Sequence, residues 1–449
     1  MDWTSRHLVD AYVFGYPLVY NLSSIQAIAT HGLGSLPPAR FNEFAHATGL
    51  ASPADAFVSV NNDTVYSIGL LDLSGGPLLL HVPDTDGAYY VLQFVDAWTN
   101  NFAYVGRRAT GTGEGTYLIT PPGWTGTAPD GVPTIESPTD VAAIVGRLAV
   151  DGADDLPRVR ALQQQFTLTP LEGNGPLRGL PQPHADLPEH LRFWELLRVW
   201  SLAFPPAAAD LEFLRRYSDY GLTDHGNPYG VVARDLDEHL AHAFAGGREE
   251  VEELSKPDAA AAVNGWLGWP HGFDYNVDHL GLGTIDAPEW KVADRAESYV
   301  LRARSARNGL WGNHGYEAYY AEVFVDADGR RLNGEHAYEL HLPEPPPAYA
   351  FWSITMYSTP EYLLVENPIR RYSIGDRTPG IVTGDPSTGS GQAGSITIRM
   401  QRERPDDPAA AANWLPTPEG DFRPMMRIYQ PRAQVLDGTF ELPAITRLG

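Results

Sequence analysis

The sequence predicts an α+β, β-rich protein: two antiparallel β-sandwich domains, jelly-roll-like in style, joined by a helical middle segment. Three observations predict it. Short apolar runs punctuated by Asp, Gly and Pro recur over 56–119 and again over 316–429, the spacing of a sandwich or barrel and not of βαβ units. Between them, over 188–308, apolar residues return at the helical period. The 44 Gly and 38 Pro exceed what an all-helical chain tolerates and imply many turns. At domain sizes of roughly 100–200 residues, 449 residues make two or three units. Boundaries are expected at 1–170, 171–310 and 311–449.

Asp2 and Thr4 can cap a first helix whose apolar positions include Leu8, Val9, Tyr12, Val19 and Ile25, with Pro17 as a kink or division and Gly32 as the stop. Strands are expected at 56–60, 65–71, 77–82, 88–95, 102–105 and 116–119. Ser137-Pro138-Thr139-Asp140 offers capping oxygens, so a helix is expected to 150; Asp154-Asp155 with Pro157 opens another toward 166. Breakers such as Gly173, Pro176, Gly179 and Pro183 make 172–186 a linker. Helices follow over 188–202, 206–220, 230–244, 248–267 with Pro257 as an interruption, and 286–308. Strands resume at 316–325 and 334–342 around Asp326-Ala327-Asp328-Gly329, a hairpin turn by composition. Further strands are expected at 349–357, 395–401 and 422–429, with a long loop over 379–394. No fixed-period repeat shows, although the two β-rich halves share a style of strand and turn.

Lys and Arg total 32 against 56 Asp and Glu, a formal charge of −24. A field of that sign repels phosphate backbones and anionic lipid, so neither nucleic acid nor membrane is an expected partner. The absence of cysteine removes thiolate nucleophiles, disulfides and cysteine-ligated metal. The first residues lack the basic and apolar stretches of a secretory signal, and the expectation is a cytoplasmic protein. No Walker loop, no Gly-x-Gly-x-x-Gly after a strand and no Gly-x-Ser-x-Gly elbow stands in a convincing context, and no cofactor is expected. His239 and His242 with Asp235 share a helix face but lack the acid of a zincin motif, so no metal site is expected either.

Several phrases of the first half stand in a specific order: Asn61-Asn62-Asp63-Thr64-Val65-Tyr66-Ser67, Tyr89-Tyr90-Val91-Leu92-Gln93, Asp96, Thr99-Asn100-Asn101-Phe102-Ala103-Tyr104, and Gly123-Trp124. Together they resemble the family called domain of unknown function 1254. Trp352, Tyr357, Asn367, Arg371-Tyr372, Asn413-Trp414-Leu415-Pro416 and Arg427-Ile428-Tyr429 resemble its usual companion, domain of unknown function 1214. The resemblance covers most of the chain. It implies architecture, two β-sandwich-like domains joined by helices, and supports fold far better than chemistry.

The residues themselves nominate a site. In Asn61-Asn62-Asp63-Thr64, between two strands, a carboxylate flanked by amides can be held and offered as a base; the same side chains can simply brace a turn. Tyr89 to Asp96 alternates with both faces largely apolar, so Gln93 and Asp96 need partners or face a pocket. Trp98, Asn100, Asn101 and Tyr104 continue this polar-aromatic run. In the second half Trp352, Tyr357, Arg427 and Tyr429 form either packed core or an aromatic box with one guanidinium suited to a carboxylated or planar molecule. The expected function is a cofactor-independent acid/base enzyme on a small, partly apolar metabolite, acting by hydrolysis, elimination, cyclisation or isomerisation. Asp63 or Asp96 is the expected acid/base and Tyr66 or Tyr90 the proton donor, with Asn61, Asn62, Gln93 and the other residues named here lining the substrate site. The alternative is a non-catalytic small-molecule carrier. A homo-oligomer is compatible with either.

Overall fold

A computed structural model describes residues 3–55, 58–173, 175–184, 186–256, 258–384 and 394–449. Helix α1 (Trp3–His31) precedes β1 (Phe44–His46), β2 (Thr64–Asp72), β3 (Leu78–Val82), β4 (Tyr90–Asp96), β5 (Asn101–Gly106), β6 (Gly115–Thr120), β7 (Thr134–Glu136), β8 (Val141–Ala149), α2 (Leu156–Gln163) and β9 (Thr167–Pro170). Helices α3 (Glu189–Ala203), α4 (Ala208–Arg215) and α5 (Arg234–Leu254) follow, then β10 (Trp266–Gly268) and α6 (Arg295–Gly309). The last part holds β11 (Ala318–Val323), β12 (Tyr338–Leu342), β13 (Ala348–Ser358), β14 (Ser373–Gly375), β15 (Ile396–Gln401), α7 (Pro408–Ala412), β16 (Trp414–Pro416), β17 (Phe422–Pro431), α8 (Ala433–Leu436) and β18 (Thr446–Arg447). The class is α+β, with antiparallel and mixed sheets. No described helix is long and apolar enough to cross a membrane.

The two β-rich halves share one topology. In the first, a five-stranded antiparallel sheet runs β1-β2-β8-β4-β5 and a four-stranded sheet runs β7-β6-β3-β9. In the second the orders are β10-β11-β17-β13-β14 and β16-β15-β12-β18. Every strand of the second half therefore occupies the place of the strand nine positions earlier. The irregularity is duplicated too, because β6–β7 and β15–β16 are the parallel pairs in the two four-stranded sheets. This is a structural repeat that no fixed sequence period announces.

Helix α1 packs against α3, α5 and α6, and its Leu18 and Leu22 share one core with Trp194, Leu240 and Ala303 of the helices and with Ile68, Phe94 and Ile144 of the first sheet. Pro17 lies inside α1 without dividing it; burial of Phe14, Leu18 and Leu22 around it offsets the roughly 3 kcal/mol that an interior proline costs. Helix α5 likewise runs unbroken through Gly246-Gly247, where the sequence suggests two helices. A Cβ on Gly247 would lie 2.2 Å from Cγ of Tyr12, so the glycine permits the close approach of α5 to α1. The helix ends at Leu254 rather than continuing to 267.

Other expectations need correction. Residues 137–150 are not a helix but carry β8, whose Val141, Ile144 and Val145 are buried between β2 and β4. The capping oxygens brace the strand entry instead: Ser137 Oγ donates to the Thr139 carbonyl, and Thr139 Oγ1 donates to the Val141 carbonyl and accepts from the Ala97 N–H. The last helix of the middle segment begins at Arg295, not 286. Asp326 to Gly329 does turn, with Gly329 N–H donating to the Asp326 carbonyl, yet β11 and β12 lie in different sheets and only Val325 and Arg331 pair across it. Residues 58–60 form no strand, and the expected loop over 379–394 falls largely on 385–393, outside the described residues.

Gly247→Ala tests the α1–α5 contact. On a free helix the change stabilises by about 1 kcal/mol. Here the methyl meets the Tyr12 ring, and a loss of about 1–3 kcal/mol is expected as a lower urea midpoint; a raised midpoint would mean that the two helices tolerate separation.

Candidate functional site

The site starts from a turn. Asn61 Oδ1 accepts from Asp63 N, Thr64 N and Thr64 Oγ1, each at 3.0 Å, while its Nδ2 donates to the Tyr66 hydroxyl. This closes the entry to β2 and fixes Tyr66 directly opposite Arg147 of β8. Residues paired across antiparallel strands share a face, and the guanidinium carbon of Arg147 sits 5.6 Å from the Tyr66 ring centre. The second half repeats the arrangement: Tyr320 of β11 stands opposite Arg427 of β17. Their orienting partners are equivalent as well. Arg147 NH1 donates to Gln93 Oε1 of β4 at 2.8 Å, and Arg427 NH1 to Thr355 Oγ1 of β13 at 2.9 Å.

Both tyrosine–arginine pairs line one cavity of about 130 Å³, bordered also by the end of α6 and by Trp269 and Phe273. Three non-glycine residues on its wall hold left-handed backbone: Ser59 (φ 54°), Trp311 (φ 64°) and Tyr362 (φ 57°). Such conformations persist only where surroundings over-determine them, and they gather at functional sites. Here the arginines supply the restraint. Arg147 NH2 donates to the Trp311 carbonyl at 2.7 Å, Arg427 NH2 to the Ser59 carbonyl at 2.7 Å, and Arg423 NH2 to Ser59 Oγ at 2.6 Å.

A carboxylate stands behind the wall. Asp63 Oδ2 accepts from Ser353 Oγ at 2.7 Å and from the Tyr429 hydroxyl at 3.0 Å, both from the opposite half. Tyr429 itself lines the cavity. Burial, and then the Asp63 charge, push its phenol well above the ordinary range, so it keeps its proton at neutral pH. Glu322 pairs with Arg423 at 2.6 Å on the same wall, and burial raises its carboxyl while Arg423 opposes that shift. Tyr66 accepts from Asn61, and Tyr320 accepts from Asn313 N and Nδ2; among the described residues neither phenol has an acceptor for its own proton. The described residues contain no group of three His, Cys, Asp or Glu placed to hold a metal ion.

The family described as Protein of unknown function (DUF1254) matches residues 41–170, and that described as Protein of unknown function (DUF1214) matches 317–433. The chain is a DUF1254–DUF1214 protein. No functionally curated protein matches it. Among solved structures, the VPA0106 protein from Vibrio parahaemolyticus is similar over 99% of this chain and 100% of its own, with 22% identity and a TM-score of 0.72, which is a likeness of fold. An uncharacterized protein from Burkholderia cenocepacia aligns over 99% of this chain and 92% of its own at 10% identity and a TM-score of 0.45.

In this DUF1254–DUF1214 protein the sequence-nominated residues divide. Asn61, Tyr66, Arg427 and Tyr429 line the cavity. Asp63 is one hydrogen bond behind it, and Tyr357 donates to the Val60 carbonyl and accepts from Arg427. Gln93 and Asn101 both donate to the Gly312 carbonyl, forming the layer that holds Arg147. Asn62 is tied to the Ala51 carbonyl at 2.5 Å.

The rest do not reach the cavity. Asp96 braces its own turn through Asn100, whose N–H and Nδ2 it accepts at 2.8 Å, and Asn100 in turn takes Arg302. Tyr90 packs on Phe166 in the core. Trp98 donates to the Phe204 carbonyl, Tyr104 accepts from His314 N, and Trp352 belongs to the second-half core. Sequence reasoning missed Arg147, Tyr320, Trp311 and the Glu322–Arg423 pair. A lone arginine amid Val141–Ala149 was the available signal for the first.

Arg147→Met removes the donor for Gln93, Asn313 and the Trp311 carbonyl. Stranding those buried oxygens is expected to cost about 2–4 kcal/mol, measured by urea unfolding. A loss below about 0.5 kcal/mol would mean that the oxygens find other donors.

Proposed function

We propose that this protein is a cofactor-independent acid/base enzyme of the cytoplasm that takes a small, partly apolar molecule into the cavity between its halves. One observation carries the reading: two equivalent tyrosine–arginine pairs face a single hollow in which Tyr429 is backed by the Asp63 carboxylate. Arg147 and Arg427, with the free O–H of Tyr66 and of Tyr320, present converging donors to an oxygen that gains negative charge, the preorganised arrangement that lowers a barrier most. The Tyr429 O–H donates to Asp63, which leaves the phenolic oxygen's lone pair free to accept a proton from the substrate. A substrate proton passing to Tyr429 while the phenolic proton passes to Asp63 leaves Tyr429 unchanged and Asp63 neutral; return of that proton to another atom completes an isomerisation, elimination or cyclisation. Asp63 thus acts through Tyr429.

The two sheets of each half are read as one sandwich in the jelly-roll manner, and 1–170, 171–310 and 311–449 as the units. On that division the cavity lies where the outer units meet the end of the helical one, a usual place for a small-molecule site. The partner is a small molecule, and the acidic surface argues against nucleic acid.

The test incubates the purified full-length chain with a metabolite extract and follows it by mass spectrometry. One compound should be consumed and its product appear. Tyr429→Phe and Asp63→Asn should each slow that conversion about 10²–10⁴-fold, with urea midpoints near the unaltered one. A compound that is enriched and returned intact identifies a carrier, and full turnover in both variants removes the proton path.

A further inference from the structure

We infer that the molecule taken by this cavity is a monocarboxylate with an apolar tail, its carboxylate between Arg147 and Arg427 and its tail in a second chamber beside them. The inference rests on the preceding reading only for the location of the site.

Charge comes first. Four arginines line the cavity, and two are matched by acids: Arg423 with Glu322 at 2.6 Å and Arg307 with Glu252 at 2.8 Å. Arg147 and Arg427 are buried, 7% and 3% exposed, and among the described residues neither has a carboxylate at ion-pair distance. Each places three N–H contacts on neutral oxygens. Asp63, buried behind Tyr429, is the acid among the leading influences on Arg427. Two buried cations against one carboxylate leave a single positive charge without a counterpart, and buried charges are stable when paired. A monoanion completes the balance, whereas a phosphate dianion overshoots it. Planar guanidinium groups also match a carboxylate in shape.

The tail follows from a second hollow of about 50 Å³. Val60, Tyr66, Arg147, Leu310 and Trp311 line both spaces, so Arg147 stands on the wall of each. Beyond that point the wall is mostly apolar, with Leu33, Leu36, Ala47, Ile68 and Val145. Its one acid, Asp55, is taken up by Ser52 N and Oγ at 2.7 and 2.9 Å. A ligand anchored at Arg147 therefore has an oily space next to its head group, where each buried methylene contributes about 0.8 kcal/mol, roughly fourfold in affinity.

Calorimetry on the full-length protein decides the matter with acetate, butyrate, hexanoate, octanoate, 1-octanol and inorganic phosphate as probes. Affinity should rise from acetate to octanoate, and octanoate should bind about tenfold or more tighter than 1-octanol and than phosphate. Equal binding of the alcohol, tighter binding of phosphate, or no dependence on chain length overturns the inference. Ala47→Leu, which fills the second chamber, should weaken octanoate about tenfold and leave acetate unchanged; a folded variant that binds octanoate normally also overturns it. Should that variant not fold, the chain-length series on the unaltered protein decides alone. The two readings fail separately. If the panel holds while Tyr429→Phe and Asp63→Asn retain turnover, the proton path falls and the carboxylate site stands; if the panel fails while those variants are inactive, the reverse holds.

Discussion

Arg147 and Arg427 carry full charges out of water, and a guanidinium so placed costs several kcal/mol unless its donors are occupied. The oxygens that occupy them come from different parts of the chain. Arg147 joins Gln93 of β4 to Trp311 and Asn313 beyond α6; Arg427 joins Thr355 and Tyr357 of β13 to Ser59 ahead of β2. The same side chains that face the cavity thus hold the two β-rich halves together. Docking and site are one set of interactions, and the strained backbone at Ser59 and Trp311 is fixed by the charges it helps to neutralise.

Duplication explains why the centre is built from pairs, and divergence explains why it is not symmetric. Register places Ala149 of β8 where β17 has Tyr429, since Thr64 pairs with Ala149 as Ala318 pairs with Tyr429. Each half also sends an acid toward a tyrosine of the other: Asp63 to Tyr429, and Glu317 to Tyr89 at 3.2 Å. Glu317 is bound as well by Arg108, and Tyr89 packs with Phe351 and Tyr429 away from the cavity wall. Only one of the two acid–tyrosine contacts opens on the hollow. The repeated scaffold thus brings an acid–tyrosine contact to the cavity from one side and not from the other.

The β-rich halves, the helical middle and most strand positions were legible because alternation and turn residues are local signals. So was the Asn61–Tyr66 end of the site, since an Asx-rich turn before a strand declares itself. Arg147 was not, because Ser137-Pro138-Thr139-Asp140 offers helix caps and only pairing with β2 and β4 settles β8 as a strand. Nor was the repeat: loops of unequal length and the helical insertion make the spacing drift, as the equivalent pairs Tyr66 and Tyr320, Gln93 and Thr355, Arg147 and Arg427 show. Asp96 misled for the opposite reason. A buried carboxylate beside aromatic residues reads as chemistry in one dimension, and in three it accepts from Asn100 and closes its own turn.

The exterior and the centre carry opposite charge, and distance decides which one governs a small anion. The net charge of −24 acts at a distance mostly through water, where salt at physiological strength confines it to about 8 Å. Inside, the guanidinium groups stand in a medium that screens them far less, so attraction over a few ångströms outweighs repulsion met on approach. Selection then passes from charge to shape. On the proposed reading any anion small enough to enter meets Arg147 and Arg427, but a space of about 130 Å³ beside an apolar one of about 50 Å³ rewards only one that extends past Arg147 along Leu36, Ile68 and Val145. On that reading, charge holds the head of the ligand and burial of its tail sets which ligand is held.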